Sequence, residues 1–473
     1  MATVTVTTLE GSIVESAHQR TPVSRTASVA HRSVTSRDIS TPSPAASPLS
    51  SRPRKGASAD DESRMPPTCS LATVLYFSVL CGVNLVIVIP TADDYSHRLG
   101  GDQLFGGLMI GAVPLLAMFG IGLNQFLLRR GLSLKTVLLL MSIGTVLGNV
   151  LYAVAGLTRS VWSLLAARCV IGLCNGFNLP SMYIGLTVGM RRRSEVTFYF
   201  SALNTLGYAL GPALAAVLEV FVKSVHVNNL ILDSDTAPGW FMAILYLLFM
   251  AQVLLVFEDL PVELTGSEPL GKNVATDERP PMIATCAAFL DLCISSAVLT
   301  TAEVYVVNVG QHYWGWSVVT SALFLAALML CASMSNLVVG RLTRRFMKSD
   351  RTGLLIGSVL GCAACAPLFH FDLHAVSAQA SLLSVGLVLV LSLVGLIRAF
   401  ALAASSKLAP ASLKSSMNSW AFVFMTLGRG AGAVIGSVLS PLSFAPVVLG
   451  MFGVTVLASI ASHSRMQPSD KAS

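Results

Sequence analysis

The sequence predicts an all-α membrane protein in which twelve transmembrane helices form two bundles of six, preceded by a disordered tail. Three observations lead to this fold class. The chain of 473 residues is 53% hydrophobic and only 12% charged, whereas soluble proteins carry about 25% charged residues. Apolar runs long enough to cross the roughly 30 Å hydrocarbon core follow one another from Ser70 onward. The longest polar break, at residues 258–281, divides these runs into six and six.

Residues 1–69 are rich in Ser, Thr, Pro and Arg and have no apolar periodicity. Such a segment buries too little apolar surface to offset the entropy cost of ordering, so we expect a disordered cytoplasmic tail. It also lacks the apolar core of a cleaved signal peptide. The predicted domains are the tail at 1–69, a first bundle at 70–257, a cytoplasmic linker at 258–281, a second bundle at 282–462 and a short tail at 463–473.

The positions of Lys and Arg predict the orientation of the helices. The apolar runs place helices at 70–91, 103–128, 134–157, 160–189, 195–222, 238–257, 282–309, 317–339, 352–371, 379–405, 413–439 and 443–462. Nearly all loop cations fall on one side, and only Arg98, Arg159 and Lys223 lie opposite them. This asymmetry predicts that both termini are cytoplasmic. Because the cations are not gathered on one soluble face, no nucleic-acid partner is expected.

The two halves share features that indicate an internal repeat. The fourth helix of each half carries an intramembrane arginine, Arg168 in the first and Arg398 in the second. The fifth helix of each is rich in glycine, with Gly207 and Gly211 in one and Gly428 among several in the other. Paired halves of this kind predict two bundles that face each other across a central path.

Residues 70 to 462 resemble the major facilitator superfamily. The run GYALGP at 207–212 matches the GxxxGP motif of the superfamily's fifth helix, where small residues let a neighbouring helix approach closely. The first basic loop differs from the usual GxxxDRxGRR pattern, because Asn124 and Gln125 occur where an Asp is expected. The resemblance implies a major-facilitator-type fold of twelve helices, but because of this difference it does not extend to the usual gating ion pair at the loop.

Within the superfamily, the sequence resembles the vacuolar phosphate transporter branch that carries an SPX domain, and its lysosomal relatives. The residues behind this resemblance are PTADDY at 90–95, Arg168 with Gly172 and Tyr183, APGW at 237–240, and Glu303 within TAEVY at 301–305. Phe177, Ser181 and Met182 stand where that branch has further arginines. The resemblance implies anion transport in a vacuolar or lysosomal type of membrane, with the plasma membrane as an alternative.

Charged residues inside the membrane are the main candidates for function, because each costs about 2.5–3.5 kcal/mol at the bilayer centre. Counting along the predicted helices puts Arg168, Asp291 and Arg429 near mid-depth, Glu303 toward the outer face and Arg398 nearer the cytoplasm. Two arginines against one aspartate leave a positive charge at mid-depth. We therefore expect an anionic solute, such as phosphate or an organic anion, held by Arg168 and Arg429.

Other polar residues belong to the predicted substrate site or to the predicted coupling of transport to protons. The uncharged members of the site are Asn175, Asn178, Asn204 and Tyr208. For any single membrane Asn, a role in holding two helices together is favoured over contact with the substrate. The predicted coupling ion is the proton, and its predicted carriers are Asp291, Glu303 and Asp93. For Asp291, a structural bridge to an arginine is the alternative.

The sequence contains no Walker loop, nucleophile elbow, HExxH or dinucleotide motif, so we expect no enzyme, no cofactor and no metal site. Without an ATP site, transport would be driven by a gradient. The expected partners are the lipid bilayer, a small solute and protons, and the chain is expected to be a monomer. Two alternatives stay open, a transporter of neutral or cationic molecules and a non-transporting receptor or scaffold on the same fold.

Overall fold

The computed structural model describes residues 65–222, 225–227, 230–259, 281–346, 350–369, 376–408 and 414–463. The predicted tail up to residue 64, residues 260–280 of the predicted linker and the residues from 464 onward lie outside this described part. Within the described ranges nearly all of the chain is helical, as the sequence predicts.

The first half contains nine helices and one small hairpin among the described residues. They are α1 (Thr68–Val86), α2 (Ala92–Arg98), α3 (Gln103–Arg129), α4 (Leu134–Ala153), α5 (Ala155–Thr158), α6 (Val161–Leu173), α7 (Leu179–Thr187), α8 (Met190–Phe221), β1 (Val225–Val227), β2 (Leu230–Leu232) and α9 (Ala237–Val256). The strands pair antiparallel, with Val225 opposite Leu232. The side chains of Asp102 and Ser133 cap α3 and α4, so both helices begin at a polar residue of the preceding loop.

The second half repeats the pattern of long helices. Its elements are α10 (Met282–Asn308), a π-helical turn (Val309–Tyr313), α11 (Val318–Phe346), α12 (Asp350–Ala364), a short 3₁₀ turn (Ala366–Leu368), α13 (Val376–Leu408), α14 (Lys414–Val438) and α15 (Pro441–His463). Across the described residues of both halves, 11 helices are long and apolar enough to cross a membrane. The remaining predicted span is the fourth helix of the first half.

That fourth helix is not continuous, which corrects the prediction of one helix at 160–189. α6 and α7 are separated by residues 174–178. Gly176 and Asn178 lie in this break, and both residue types have low helix propensity. Pro180 occupies the first turn of α7, where its missing N–H costs no helical hydrogen bond. Irregular backbone at membrane depth is tolerated where protein or a cavity surrounds it.

Glycines on α14 let its backbone pack directly on α10. A Cβ at Gly436 would lie 2.7 Å from the carbonyl oxygen of Thr301, and Gly428 and Gly432 face the carbonyls of Cys293 and Ala297 even more closely. The three glycines of α14 are four residues apart, and so are the three residues of α10 that they contact. One glycine face of α14 therefore packs along one face of the α10 backbone. This is small-residue packing, the usual way in which membrane helices approach each other.

Two helix pairs join the halves. α3 packs along α14 and α8 packs along α11. At Gly111 of α3 a Cβ would lie 2.7 Å from the carbonyl oxygen of Gly430 on α14, so the halves touch through backbone as well as side chains. Within the first half, Gly207 of the GYALGP run has the role that the motif implies, because a Cβ there would lie 2.6 Å from the carbonyl oxygen of Val79 on α1.

The bundle has two ends, which we call the near side and the far side. The near side is the end at which α1 begins, where the backbone N–H of Glu258 donates to the Ser70 hydroxyl at 3.0 Å. The far side is the opposite end, which carries α2, the turn at 233–236 before α9, and the π-helical turn after α10.

Candidate functional site

A small cavity lies between the two halves. Arg398 of α13 and Arg429 of α14 line it from the second half, and Asn175 from the break in the fourth helix lines it from the first. Its volume is about 10 Å³, which is room for roughly one water molecule. In this conformation the cavity is therefore too small for a solute larger than water.

A buried ion pair forms one wall of the central region. Nη2 of Arg429 donates to Oε2 of Glu303 at 2.9 Å, and only 4% and 1% of the two side chains are exposed. Both residues belong to the second half, on the two helices that the glycines bring together. Nε and Nη1 of Arg429 have no protein partner in the described part of the chain. Arg429 thus keeps free donors while Glu303 holds one side of its guanidinium group.

Tyr208 of the first half contacts the same arginine. The guanidinium carbon of Arg429 lies 4.3 Å from the centre of the Tyr208 ring, which is within the range of a cation–π interaction. The Tyr208 hydroxyl is buried and has no hydrogen-bond partner among the described residues. Tyr208 and Arg429, both predicted site residues, are therefore neighbours across the boundary between the halves.

Arg398 lies in the same cavity, although the sequence placed it nearer the cytoplasm. α13 extends to Leu408, three residues beyond the predicted end. The helix has 33 residues and is about 50 Å long, which exceeds the hydrocarbon core, so a count from its end does not fix the depth of Arg398. Its Nε atom is buried and has no partner in the described part of the chain. The intramembrane arginine was visible in the sequence, but its depth depended on the true length of the helix.

Arg168 occupies a different place, inside the first bundle. Its side chain is completely buried, and its Nε donates to the carbonyl oxygen of Met109 on α3 at 3.4 Å. Neither Nη atom has a protein partner among the described residues. The Tyr152 ring lies 6.0 Å away. Arg168 is not among the residues that line the cavity in the described structure, so the predicted pairing of Arg168 with Arg429 in one site is not seen in this conformation.

The three predicted asparagines differ in their surroundings. Asn175 lines the cavity, and its Oδ1 has no partner in the described part of the chain. Asn178 accepts a hydrogen bond of 2.9 Å from Asn124 of α3, which fixes the break in the fourth helix. Asn204 donates to the carbonyl oxygen of Ser78 at 3.3 Å and so joins α8 to α1. Asn178 and Asn204 hold helices together here, while Asn175 faces the central space.

Asp291 lies apart from the central ion pair. It is 1% exposed, and it faces Ser459 of α15. Its Oδ1 has no hydrogen-bond partner, and the described residues form no salt bridge with it. The alternative of a structural bridge to an arginine is therefore not seen in the described structure.

In the described part of the chain, uncharged groups join the halves at the near side of the cavity. Gln125 of α3 donates a short hydrogen bond to the Ser419 hydroxyl of α14. Asn418 donates to the Ser181 hydroxyl at 3.4 Å. Gln125 lies near the end of α3, at one of the two positions where the resemblance led us to expect an Asp, and its contact between the halves is a neutral hydrogen bond.

An ionisable contact closes the far side. Nε2 of His312, on the π-helical turn of the second half, lies 2.7 Å from Oδ2 of Asp93 on α2 of the first half. Beside it, Gln311 donates to the carbonyl oxygen of Pro90 at 2.9 Å. His97 also approaches Asp93, at 3.5 Å, but from the same helix. We call the contacts of Asp93 and Pro90 with His312 and Gln311 the far-side latch. Asp93 was a predicted residue, whereas no sequence signal indicated its partner 219 residues away.

Next to the latch, Arg98 anchors the turn before α9. It forms salt bridges with Asp233 and, at 3.0 Å, with Asp235. Asp233 also stabilises the turn before α9, because its Oδ1 accepts the backbone N–H of Thr236 at 3.0 Å. Burial raises the pKa of Asp235 to about 7, against the opposite effect of Arg98. The far side of the first half is thus held by salt bridges outside the membrane-spanning helices.

Two helical bundles, a small cavity between them and contacts that join them at both ends define a two-bundle membrane fold. A family model described as "Major Facilitator Superfamily" matches residues 72–433. The chain belongs to the Major Facilitator Superfamily.

Similar curated proteins include SPX domain-containing membrane proteins of plants. One from Arabidopsis thaliana is 28% identical over 351 residues, which cover 64% of this chain and 49% of that protein. An uncharacterized MFS-type transporter of Schizosaccharomyces pombe is 24% identical and is matched over 67% of this chain and 65% of its own length. The chain spans about half the length of the plant relatives it matches, with 49% of the first covered.

Solved structures show the same fold at low sequence identity. A bacterial homologue of the human lysosomal transporter Spinster, in an inward-facing unoccupied conformation, has a TM-score of 0.59 at 14% identity and covers 84% of this chain and 94% of its own. The human organic anion transporter MFSD10 (TETRAN) has a TM-score of 0.57 at 17% identity, and the match covers 84% of this chain and 100% of that one. These likenesses confirm the predicted fold class.

Proposed function

We propose that the chain carries a small anion across the membrane by alternating access, and that Arg398 and Arg429 hold this anion. The observation that carries the proposal is the charge of the central cavity. Two arginines line it, and Glu303 is the one acid paired with them in the described part of the chain. A net positive charge at this depth costs several kcal/mol when it is uncompensated, and an anion would neutralise it.

The free donors at the cavity also favour an anion over a cation. Nε and Nη1 of Arg429 and Nε of Arg398 have no protein partner among the described residues. Guanidinium groups donate in a planar fork that matches the oxygens of a carboxylate, sulfonate or phosphate. Asn175 and the Tyr208 hydroxyl add polar groups that can accept or donate as the solute requires.

The closures at the two ends support alternating access. Gln125 with Ser419 on the near side and Asp93 with His312 on the far side each join one half to the other. If the halves rock about the cavity, one closure opens while the other holds. In this proposal the near side is cytoplasmic, as the distribution of Lys and Arg indicates. A vacuolar or lysosomal type of membrane and a monomeric state belong to the same proposal.

We also propose that Arg168 contributes to transport from within the first bundle. Its buried guanidinium has two Nη atoms without protein partners among the described residues, which is an expensive arrangement for a purely structural residue. Arg168 does not line the cavity in the closed conformation, so its part would come when the halves move apart. Flux measured for Arg168→Lys and Arg168→Ala tests this role separately from that of the cavity arginines.

The proposal predicts that Arg398→Ala strongly impairs anion flux in proteoliposomes. Loss of a buried charge-assisted contact costs about 2 kcal/mol or more, which is about 30-fold in affinity. Arg398→Lys should recover only part of this, because Lys keeps the charge but not the planar fork. The assay follows uptake of labelled inorganic and organic anions, with cations and neutral sugars as comparison.

Arg130→Ala is the matched control for this experiment. Arg130 is exposed on the near side and stacks on the Phe126 ring of its own helix, so its loss should leave flux unchanged. Full flux in Arg398→Ala, or a preference for a neutral or cationic solute, would remove the anion proposal. Absence of flux for every class of solute would favour the receptor or scaffold alternative instead.

Proton coupling through Asp291 gives a second prediction. A buried carboxyl without a cation is costly when charged, so it is suited to carry a proton through the transport cycle. We expect Asp291→Asn to transport along a solute gradient but to lose the response to a pH gradient. The measurement compares uptake at equal and unequal pH across the liposome membrane. A normal pH response would exclude Asp291 and leave Glu303 and Asp93 as the proposed carriers.

A further inference from the structure

The wall of the central cavity has two chemically different faces. Its polar face is Arg398, Arg429, Thr426 and Asn175. Its apolar face is Leu85, Pro114, Ala117, Phe177 and Met425. Arg398 and Arg429 both come from the second half, whereas all apolar residues except Met425 come from the first. A solute held between the halves would therefore meet cationic donors on one side and hydrocarbon on the other.

An inorganic oxyanion fits this arrangement poorly. Its oxygens point in all directions, and those turned to Leu85, Phe177 or Met425 would lose water without gaining a hydrogen bond. Each such loss is unfavourable, because a buried polar atom without a hydrogen bond does not recover its lost hydration. An organic anion instead places all of its charged oxygens at one end. The same apolar surface that penalises an inorganic ion would stabilise an attached hydrocarbon body.

The charge count limits the head group of the solute. Arg398 and Arg429 contribute two positive charges, and the Glu303 carboxylate pairs with one of them. One negative charge restores neutrality, so a head group with a single charge matches the site. Tyr208, which stacks on Arg429 from the first half, adds an aromatic surface next to this head group.

We propose that the transported solute is an amphipathic organic monoanion. Its head group binds Arg398 and Arg429, and its aliphatic or aromatic body packs against Leu85, Phe177 and Met425. Phe177 is suited to this role because it lies in the break of the fourth helix, where its ring meets Phe422 of the other half at 5.7 Å. This inference rests on the proposed anion transport and specifies its substrate class.

Sulfonates test the inference without leakage, because they stay charged and do not cross lipid as neutral acids. Proteoliposomes containing the full chain are assayed for uptake of labelled methanesulfonate, hexanesulfonate, benzenesulfonate, inorganic sulfate and inorganic phosphate, with protein-free liposomes as background. Each buried CH₂ contributes about 0.8 kcal/mol, or about fourfold in affinity. We therefore expect KM for hexanesulfonate to lie at least about tenfold below that for methanesulfonate, with little uptake of sulfate or phosphate.

Two phenylalanine variants test whether the preference for larger sulfonates depends on the cavity wall or on apolar surface elsewhere on the protein. Phe177→Ala should reduce the preference for benzenesulfonate over methanesulfonate, because it removes part of the apolar face. Phe119→Ala is the matched control, since Phe119 is 61% exposed on the outer surface of α3, and its variant should keep the wild-type preference.

The outcomes also separate this inference from the broader proposal. If sulfate or phosphate is carried as well as the organic sulfonates, the amphipathic class is wrong while anion transport stands. If Phe177→Ala keeps the full preference for the larger sulfonate, the assigned wall is wrong. If no anion is taken up at all, both the inference and the proposed function fail.

Discussion

Arg429→Ala should both stop transport and lower the thermal stability of the purified protein. Removal of one partner of a buried ion pair leaves an uncompensated charge, which costs about 3–5 kcal/mol. Arg429 and Glu303 meet that condition, with 4% and 1% of their side chains exposed. The double variant Glu303→Gln/Arg429→Gln has neither charge, so it should regain most of the lost stability. It should still be inactive, because the anion has lost one of its two proposed contacts.

The double variant distinguishes a structural from a functional ion pair. If Glu303 and Arg429 only join α10 to α14, the neutral pair should restore flux together with stability. Thermal unfolding in detergent and uptake in proteoliposomes, measured on the same preparations, give both quantities. Arg130→Ala should leave both at wild-type values. Unchanged stability in Arg429→Ala would show that the pair contributes little to the fold.

The long helices were predictable because each span must be apolar over about 20 residues, a signal that averages over many positions. The break in the fourth helix was not predicted from the sequence. Residues 160–189 are mostly apolar, and only Asn175, Gly176, Asn178 and Pro180 indicate an interruption. The roles of Gly207 and Gly432 were partly predictable, since glycine patterns indicate close packing without identifying the partner helix.

The candidate site was predictable as a set of residue types but not as a set of contacts. A charged side chain inside a membrane has a high free-energy cost, so Arg429, Glu303 and Arg398 can be recognised in the sequence as candidates for function. Their pairing depends on how α10, α13 and α14 pack, and Glu303 and Arg429 are 126 residues apart in the chain. Arg168 illustrates the same limit, because depth counted along a helix does not tell which face of the helix it occupies.

The two closures of the cavity differ in chemistry, and this difference has a mechanical consequence. On the near side, Gln125 and Ser419 form a neutral hydrogen bond. On the far side, His312 contacts the carboxylate of Asp93, and a hydrogen bond to a carboxylate is charge-assisted. Hydrogen bonds that involve a charged group contribute about 1.5–3 kcal/mol, more than neutral ones. The far-side latch is therefore the contact whose loss should shift the conformational balance most.

We expect His312→Ala to open the far side of the protein to reagents. Ser437 suits the measurement because it is 1% exposed and lines a second small cavity together with Asp93. A Ser437→Cys variant in a background without the native cysteines should react slowly with a membrane-impermeant thiol reagent added from the far side. His312→Ala should raise this rate about tenfold, which corresponds to loss of about 1.5 kcal/mol of latch energy.

His97→Ala is the matched control, because the chain offers two histidines that contact the same carboxylate. His97 approaches Asp93 at 3.5 Å from within α2, so its loss removes an imidazole near Asp93 without removing a link between the halves. His312 reaches Asp93 from the other half. A latch that acts by joining the halves predicts faster labelling of Ser437→Cys in His312→Ala only. If labelling is accelerated equally in both variants, Asp93 acts through its own helix. If labelling is accelerated in neither, α3 and α14 keep the far side closed without the latch.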